Sequence, residues 1–443
     1  MQTSFTLEQL ANPDTAEADK ILRACVHCGF CTATCPTYVL LGNELDSPRG
    51  RIYLIKDMLE NDRPATAEVV KHIDRCLSCL SCMTTCPSGV HYMHLVDHAR
   101  DHIERTYTRP LGDRLMRDLL ARVLPDGRLF RLAAVAGMLA KPFAPVLKSL
   151  GLKRLGTMLK LIPSRVAPPN DPSRKVYPAK SARRARVALH AGCLNPVLSP
   201  YTNEAAIRVL NRAGVEVVIV ADDGCCGSLV HHMGREDQAR MQARALIDAF
   251  MREIEGAGLD AILITVSGCG TFVKDYGHLF RTDSAYAAKA ERVSKLARDV
   301  SEYLYTLDLT PSGDAKSLTV AYHSACSLQH GQKVTRAPKD LLCKLNFVVK
   351  DVPEGHLCCG SAGTYNILQP SLADRLRDRK VRNIERLEPD VVAAGNIGCI
   401  TQIAAGTGIP VVHTVELIDW ATGGPVPERL RGLAEGRTAA TAG

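Results

Sequence analysis

The chain has 443 residues, a formal net charge of +8 and 46% hydrophobic residues, so it is long enough for two to four domains with ordinary apolar cores. No run approaches the ~18 apolar residues of a membrane-spanning helix, and the longest candidate, Leu132–Ala140, stops at Lys141. Seventeen cysteines would suggest disulfides in a secreted protein, but the polar, acidic N-terminus does not resemble a signal peptide. We therefore expect a cytoplasmic, reducing location, with any membrane contact peripheral.

Two copies of one cysteine pattern lie in the first hundred residues. Cys25–Pro36 reads CVHCGFCTATCP and Cys76–Pro87 reads CLSCLSCMTTCP. Both have the spacing C-x2-C-x2-C-x3-C-P, which is typical of bacterial ferredoxins with [4Fe-4S] clusters. Three thiolates on one tight loop can hold three corners of a cubane, and the fourth cysteine then serves a second site. Two structural zinc sites are disfavoured, because zinc knuckles use paired C-x2-C or Cys/His sets.

The fourth cysteine of each run is expected to cross to the other cluster, as it does in two-cluster ferredoxins. The sequence therefore predicts two [4Fe-4S] clusters and an electron-transfer function. The first cluster is assigned to Cys25, Cys28, Cys31 and Cys86, and the second to Cys76, Cys79, Cys82 and Cys35.

The segment between the two cysteine runs is predicted to be helical. Ser47 and Pro48 fit the N-cap and first position of a helix that continues as RGRIYLIKDMLEN, and a second helix over Thr66–Asp74 leads to the second run. Helical spacing predicts that the buried face of the first helix consists of Ile52, Leu54, Ile55, Met58 and Leu59. Residues 1–100 are thus expected to form a mainly helical ferredoxin domain.

A basic segment follows the second run. From Arg105 to Arg165 there are 13 Lys or Arg residues and three Asp, a local charge of +10. Apolar residues recur at helical spacing, which predicts basic amphipathic helices and, after them, a Pro-rich linker within residues 101–180. Such helices could lie on an anionic membrane, pack on a partner subunit or carry solvated basic faces. Nucleic-acid binding is disfavoured, because the basic residues are not interleaved with stacking aromatics.

From Arg186 onward, strands alternate with helices, and one cysteine pattern occurs twice. Three cysteines of the first copy recur 133 residues later, and the fourth recurs 130 residues later. Each lies at or just beyond the C-terminal end of a predicted strand, the edge where open α/β sheets bind ligands. These residues are Cys193, Cys225, Cys226, Cys269, Cys326, Cys358, Cys359 and Cys399. We expect two Rossmann-like cysteine-rich (CCG) domains over 181–310 and 311–425, then a flexible tail over 426–443.

A further metal or redox role is favoured for these eight cysteines, because adjacent cysteines at a strand edge are poor core-filling residues. Gly227 and Gly360 follow the paired cysteines and let the backbone approach closely. The nearby His323, His330 and His356 could tune a metal site or pass protons, although a lone histidine is more often structural. Cys343 has no counterpart in the repeat, so we interpret it as a buried, inert residue.

The Cys…CCG…Cys repeat resembles the cysteine-rich domain of heterodisulfide reductases and of many respiratory iron-sulfur subunits. The N-terminal part resembles the helical ferredoxin domains of succinate-dehydrogenase-type iron-sulfur subunits. Residues 15 to about 420 closely resemble the iron-sulfur subunits of bacterial glycolate oxidases, also called glycolate dehydrogenases. The motifs that carry this resemblance are ILRACVHCGFCTATCPTY, SPRGRIYLIK, DRCLSCLSCMTTCPSGV, SLQHGQK, HLCCGSAGTYN and NIGCITQI. The chain departs from the fullest heterodisulfide-reductase pattern, which ends each repeat in C-x2-C, since SGCGTF and NIGCIT have one cysteine each.

The resemblance implies an electron-transfer subunit that is inactive alone and has no catalytic residues of its own. FAD-containing partner subunits would oxidise glycolate to glyoxylate, and this chain would pass the electrons toward the quinone pool. The CCG repeats could hold an additional iron-sulfur cluster, a different metal or nothing. Two other functions stay open: a heterodisulfide-reductase-like thiol–disulfide redox subunit, and the iron-sulfur subunit of an anaerobic glycerol-3-phosphate or lactate dehydrogenase.

Overall fold

A computed structural model describes residues 1–144, 153–162, 166, 175–312 and 318–432. The N-terminal region is helical, and two α/β units follow it, so the predicted multidomain α+β class is confirmed. The helices of the N-terminal region are Leu7–Leu10, Pro13–Ala24, Phe30–Ala33, Pro36–Leu41, Pro48–Glu60, Ala67–Asp74, Ser81–Thr85, Tyr92–Thr106, Leu111–Val123, Gly127–Ala140 and Lys153–Leu161, with 3-10 turns at Glu44–Asp46 and Lys141–Phe143.

The helix between the cysteine runs begins where its capping residues predict. Ser47 accepts a hydrogen bond from the backbone N–H of Gly50, and Pro48 occupies the first helical position. Four of the five apolar residues expected on its inner face are buried, and Leu54 is half-buried. Arg51 is also buried, which the apolar pattern did not predict, because the guanidinium lies beside the second cysteine run.

The first repeat contains a five-stranded sheet of order β1-β3-β2-β4-β5, in which only β1 is antiparallel to its neighbour. The strands are β1 (Lys175–Tyr177), β2 (Ala185–His190), β3 (Val215–Ile219), β4 (Ala261–Ile264) and β5 (Ala297–Asp299). The helices of this repeat are Asn195–Leu198, Pro200–Arg212, Ser228–His231, Glu236–Glu255, Ser267–Lys274, Tyr276–Leu279, Ala287–Leu296 and Val300–Leu304.

The second repeat contains a four-stranded parallel sheet of order β7-β6-β8-β9. The strands are β6 (Thr319–His323), β7 (Val348–Asp351), β8 (Val391–Ala394) and β9 (Val411–His413). The helices are Ser327–Gly331, which is a π-helix, and Ala337–Lys344, Tyr365–Leu368, Pro370–Glu385, Ile397–Ala404 and Thr414–Ala421, with a 3-10 turn at Glu428–Leu430. The register repeats as the cysteines do: Leu189 pairs with Leu263 in the first sheet, and Tyr322 pairs with Ala393 in the second.

The two repeats share one apolar core that contains strand residues of both sheets. Polar contacts close the seam between them. His413 at the end of β9 donates Nε2–H to the carbonyl oxygen of Thr265 at 2.8 Å, and Arg212 donates to Asp419 at 2.6 Å. The repeats therefore pack as a pair, with the ends of their central strands facing each other.

The helical N-terminal region contacts both repeats. His94 lies 3.1 Å from Asp275 of the first repeat, and Thr84, which precedes Cys86, lies 2.7 Å from Nδ1 of His330 in the second. Leu77 joins an apolar cluster with residues of the second repeat. The second cysteine run is therefore buried against the repeats.

The segments at either end of the repeats are described only in part. The expected tail 426–443 begins as packed structure, since Leu430 is buried and Arg429 donates to the carbonyl of Val411 at 2.9 Å. Residues 433–443, and all of 167–174 in the expected Pro-rich linker, lie outside the described residues. Among the helices that are described, none combines the length and the apolar composition that a membrane crossing requires.

Candidate metal and electron-transfer sites

Both cysteine runs are shaped by left-handed backbone at matching positions. In the first run His27 has φ 57° and Gly29 has φ 85°; in the second, Ser78 has φ 48° and Leu80 has φ 62°. This region is uncommon for residues other than glycine, and its use at a loop often marks a functional constraint. The alternation between right- and left-handed backbone curls each loop, so that its first three thiols face a common centre.

The first cysteine set, Cys25, Cys28, Cys31 and Cys86, lines one pocket with an empty space of about 430 Å³, part of it open to solvent. Three of these residues come from the first run, and the fourth comes from the second run. Cys28 is exposed, while Cys25 is buried. The structure thus brings together the residues that the sequence assigned to the first cluster, at a point where one edge of the set meets the surface.

The second cysteine set, Cys35, Cys76, Cys79 and Cys82, lines a neighbouring pocket of about 330 Å³. Cys82 lines both pockets, so the two sets lie side by side. Here too the fourth cysteine of one run stands with the first three of the other.

The buried thiols of both sets fit a cluster better than they fit free cysteine. Burial raises the pKa of Cys31 to about 11 and raises the pKa of Cys79 and of Cys82 well above the ordinary value. Crowded thiols in apolar surroundings resist ionisation, and bound metal cations reverse that preference. Four converging sulfur donors with no competing carboxylate among the described lining residues are the donor set of a [4Fe-4S] cluster.

Arg51 places a permanent positive charge beside the second cysteine set. Its Nη1 donates to Sγ of Cys35 at 3.7 Å, its Nη2 to Thr37 at 2.9 Å, and its Nε to the carbonyl of His72 at 2.8 Å. Although burial alone would lower the pKa of Arg51, nearby Cys76 and Asp46 are among the groups that raise it above its ordinary value. A buried cation that is hydrogen-bonded to a ligand sulfur stabilises negative charge there and so favours the reduced state of a cluster.

A third pocket, here called the thiol pocket, lies where the ends of the two sheets face each other. Its empty space is about 990 Å³, and Cys79 of the second cysteine set also lines it. Seven of the eight repeat cysteines line it: Cys193, Cys225, Cys226, Cys269, Cys326, Cys358 and Cys399. Cys359 is fully buried behind the pocket.

In the first repeat a histidine joins two of the cysteines. One ligand atom from each of His190, Cys226 and Cys269 lies within 4.8 Å of the others. Nδ1 of His190 is 2.5 Å from Oδ1 of Asp223, which leaves Nε2 free for the thiols. Hydrogen bonding with Cys226 and then with His190 outweighs burial and lowers the pKa of Cys269 to about 6. A carboxylate that orients a histidine beside thiolates is a common arrangement in zinc sites.

The second repeat has the corresponding trio, His323, Cys359 and Cys399, with ligand atoms that also lie within 4.8 Å of one another. His323 is 0% exposed, and neither of its ring nitrogens has a hydrogen-bond partner in the structure. Leaving a buried polar group unsatisfied costs about 1–3 kcal/mol. A metal ion bound by the trio would satisfy one of these nitrogens.

The sequence-based prediction missed His190. Its signal was present, because His190 and His323 are separated by the same 133 residues as the first three cysteines. His330 contacts Thr84 of the second cysteine run, and burial lowers its pKa to about 4. His356 contributes its backbone carbonyl to His330 at 3.4 Å. The interpretation of Cys343 as buried was wrong: its side chain is exposed on the helix Ala337–Lys344.

The glycines after the paired cysteines are sterically required. Gly227 has φ +96° and Gly360 has φ +88°, and a Cβ atom would come within 2.8 Å and 2.5 Å of the carbonyl oxygens of Ala239 and Ala373. Each glycine N–H points at the first thiol of its pair, at 3.5 Å for Cys225 and 3.4 Å for Cys358. These contacts place both cysteines of a pair at the sheet edge.

Two family models match this arrangement. A 4Fe-4S dicluster domain matches residues 21–90, and a cysteine-rich domain matches twice, at residues 187–274 and 320–404. In fold, the chain is similar to a hypothetical protein from Helicobacter pylori of known crystal structure, with a TM-score of 0.53, 9% sequence identity, and coverage of 96% of this chain and 75% of that one. The fold and the cysteine sets define an iron-sulfur electron-transfer protein with a dicluster domain and two cysteine-rich domains.

Similarity to curated proteins extends over nearly the whole chain. It is 44% identical to the glycolate oxidase iron-sulfur subunit of Escherichia coli (strain K12), over 95% of this chain and 99% of that protein. It is 29% identical to the "Probable glycolate oxidase iron-sulfur subunit" of Bacillus subtilis (strain 168), over 96% and 99%. Lactate utilization protein A of Bacillus licheniformis is 26% identical over 53% of this chain. The chain belongs to the family of glycolate oxidase iron-sulfur subunits, which confirms the resemblance seen in its motifs.

Proposed function

We propose that this chain carries electrons from the oxidation of glycolate to glyoxylate, catalysed by FAD-containing partner subunits, to a quinone-type acceptor. The observation that carries the proposal is the position of the two cysteine sets. One set reaches the surface at Cys28, and the other reaches the thiol pocket at Cys79. The names of the relatives and the match to a dicluster domain support the same function.

The ligands that we propose follow the crossed arrangement. Cys25, Cys28, Cys31 and Cys86 would hold the first [4Fe-4S] cluster, and Cys76, Cys79, Cys82 and Cys35 the second. When bound, each cluster exchanges one electron at a time. The protein orients the thiols through its left-handed loop residues, shields them from water, and adds positive charge at Arg51.

The entry side for electrons is proposed at the first cysteine set. Val26 and Phe30, which flank Cys28 in the sequence, are 66% and 63% exposed, and Tyr53 nearby is also exposed. Exposed aromatic and aliphatic side chains beside a redox centre are suited to a protein interface. We propose that a flavin-containing partner docks on this apolar surface.

The exit side is proposed at the thiol pocket. Cys326 and Cys358 of the second repeat share an apolar cluster with Leu77 and Cys79 of the second run. We propose that the repeat cysteines, with His190 and His323, hold a further metal or redox centre, either an iron-sulfur cluster or another metal. This centre would lie next in line after the second cluster.

The expected division into domains remains our proposal. The ferredoxin part at 1–100 would exchange electrons with the partner, the basic helices within 101–180 would contact an anionic membrane surface, and the repeats at 181–310 and 311–425 would form the exit. On this view the protein is cytoplasmic and lies peripherally on the inner face of the membrane.

The test is glycolate-dependent reduction of the clusters, followed by EPR under anaerobic conditions. We expect glycolate to reduce the clusters when the flavoprotein partner is present and to leave the isolated chain unchanged. Glycolate oxidation by the isolated chain would contradict the proposal. So would cluster reduction by lactate or glycerol 3-phosphate but not glycolate in the complex.

A surface variant tests the entry side. Phe30→Asp places a charge in the apolar surface beside Cys28, so we expect glycolate-dependent cluster reduction to slow by about tenfold or more, as for a residue central to an interface. Reduction by dithionite should stay normal. The control is Tyr305→Asp, another exposed aromatic residue. Equal rates for the two variants would place the partner elsewhere.

A further inference from the structure

A second large cavity, here called the apolar groove, lies between the basic helices and the two repeats. Its empty space is about 1000 Å³, including the part open to solvent, which is within the size range of small-molecule sites. The basic helices Leu111–Val123, Gly127–Ala140 and Lys153–Leu161 form one wall, and residues of both repeats form the other. The proposed relay of electrons through the cysteine sets does not use this groove.

The lining of the apolar groove is aliphatic and aromatic, with few polar groups. Leu119, Val123 and Phe130 are representative of one wall, and Leu198 and Ile367 of the other. No charged residue of the described chain lines it. Its polar side chains are Ser361, Asn366 and Thr401, all from the second repeat. A site of this kind accepts a largely apolar molecule with polar atoms at one end.

The apolar groove is continuous with the thiol pocket. Six residues line both cavities: Leu194, Leu229, Ser361, Gly363, Ile397 and Gly398. A Cβ atom at Gly398 would come within 2.7 Å of Oγ of Ser361, so glycine keeps the passage between the cavities from being blocked. A molecule in the groove would therefore place its polar end beside the repeat cysteines.

At its other side the groove is bordered by helices that expose apolar side chains to solvent. Leu132 and Leu139 are 67% and 71% exposed, and Leu111, Leu115 and Phe143 are also exposed. These helices belong to the segment of local charge +10. Exposed leucines among arginines and lysines suit the interface of an anionic bilayer. A lipid-dissolved molecule could thus pass from the bilayer into the groove without crossing water.

We propose that the apolar groove binds a lipid quinone, with the ring toward Ser361 and the thiol pocket and the isoprenoid chain along the leucines. The inference rests on the proposed function, because it locates the acceptor of that electron transfer. The quinone gains two electrons, delivered singly by the reduced chain, and two protons from water to become the quinol. The electrons are those removed from the partner's substrate, so the reaction balances without a further reductant.

Two matched pairs of variants in the full chain, assembled with its partner, test the groove. Ala133 lines the groove and Ala136 on the same helix does not, and both are exposed, so tryptophan at either position is compatible with folding. On the preceding helix, Leu119 lines the groove while Leu115 does not, and both are exposed. The variants are Ala133→Trp with Ala136→Trp as its control, and Leu119→Glu with Leu115→Glu as its control.

The first readout is steady-state reduction of decylubiquinone, compared with reduction of ferricyanide. Ala133→Trp and Leu119→Glu are expected to raise KM for decylubiquinone by about tenfold or more, since they fill the site or place a charge in it. Ferricyanide reduction should be unchanged, and the two control variants should behave like the unaltered chain. Unchanged decylubiquinone kinetics in both groove variants would overturn the proposal.

The second readout needs no turnover. A photoreactive azidoquinone is expected to label peptides of Leu111–Val123 or Ile397–Ala404 in the isolated full chain, and excess decylubiquinone should abolish the labelling. Labelling that phospholipid vesicles remove and decylubiquinone does not would make the groove a lipid site and contradict the proposal. If the labelling succeeds but glycolate fails to reduce the complex, the proposed substrate is wrong and the groove assignment stands.

Discussion

The two cysteine-rich repeats have the same strand register and the same ligand residues, yet the surroundings of those residues differ. His190 in the first repeat is fixed by Asp223, whereas His323 in the second has no hydrogen-bond partner on either ring nitrogen. The residue 133 positions after Asp223 is His356. A duplicated scaffold has therefore retained its donor atoms and changed the groups that tune them.

The repeats also differ in their distance from the ferredoxin part. Cys326 of the second repeat belongs to an apolar cluster with Leu77 and Cys79 of the second cysteine run. Its counterpart Cys193 instead forms a hydrogen-bonded pair with Cys225 of its own repeat. This difference suggests two roles: the second repeat receives electrons, and the first holds a structural or tuning metal.

Removing the first cysteine of each repeat breaks the comparison most strongly. Cys326→Ala should slow quinone reduction by about a hundredfold while leaving glycolate-dependent reduction of the clusters intact, because it removes a ligand at the exit. Cys193→Ala should have a smaller effect, and Cys343→Ala, at an exposed cysteine, none. Equal losses for Cys326→Ala and Cys193→Ala, measured with ferricyanide reduction as reference, would show that the repeats act alike.

The seam between the repeats predicts a loss of stability in acid. His413 donates Nε2–H to Thr265 and accepts from the N–H of Val415 on Nδ1, so protonation would break the second bond. Burial lowers the pKa of His413 to about 4. Because the unfolded chain binds this proton near pH 6.5, stability is complete above that pH and falls toward pH 4, by about 3 kcal/mol from this group.

The measurement is the free energy of unfolding between pH 7 and pH 4 for the chain and for His413→Gln. The variant should be less stable at pH 7 but should lose less stability on acidification. Parallel curves for the two proteins would mean that His413 does not titrate across the seam.

The smallest effect is expected from the carboxylate that distinguishes the first repeat. Asp223→Asn should weaken metal binding there by about 10–100-fold, because a neutral amide orients and polarises His190 less well. Metal retained after a chelator challenge measures this, with Asp222→Asn, an exposed neighbour, as control. If the two variants retain equal metal, Asp223 has no such role.

Much of this architecture could be predicted because its signals are local. Ser47 and Pro48 located a helix start, and the repeated cysteine spacing located two α/β units. The strands β1, β5 and β9 were not predicted, since three residues are too few to show a period. The burial of Arg51 depends on contacts with Cys35 and His72 that are distant in sequence, so composition alone could not show it.

The thiol pocket and the apolar groove could not be predicted either. The sequence placed the cysteines at strand ends, but the facing of the two sheets results from the shared core and the contacts at His413 and Asp419. The groove depends on how the basic helices pack against Leu198 and Ile367. Such packing between distant segments leaves no pattern in a single sequence.

The crossed assignment of the cysteines decides which cluster is at the entry and which is at the exit, so it is the claim to test first. We would record EPR spectra of dithionite-reduced Cys86→Ala, Cys28→Ala and Cys79→Ala, with iron and sulfide analysis. The account predicts that the spectrum of Cys86→Ala matches that of Cys28→Ala, because both lose the first cluster and keep the second. A spectrum of Cys86→Ala that matches Cys79→Ala would contradict the crossed assignment and reverse the entry and exit ends.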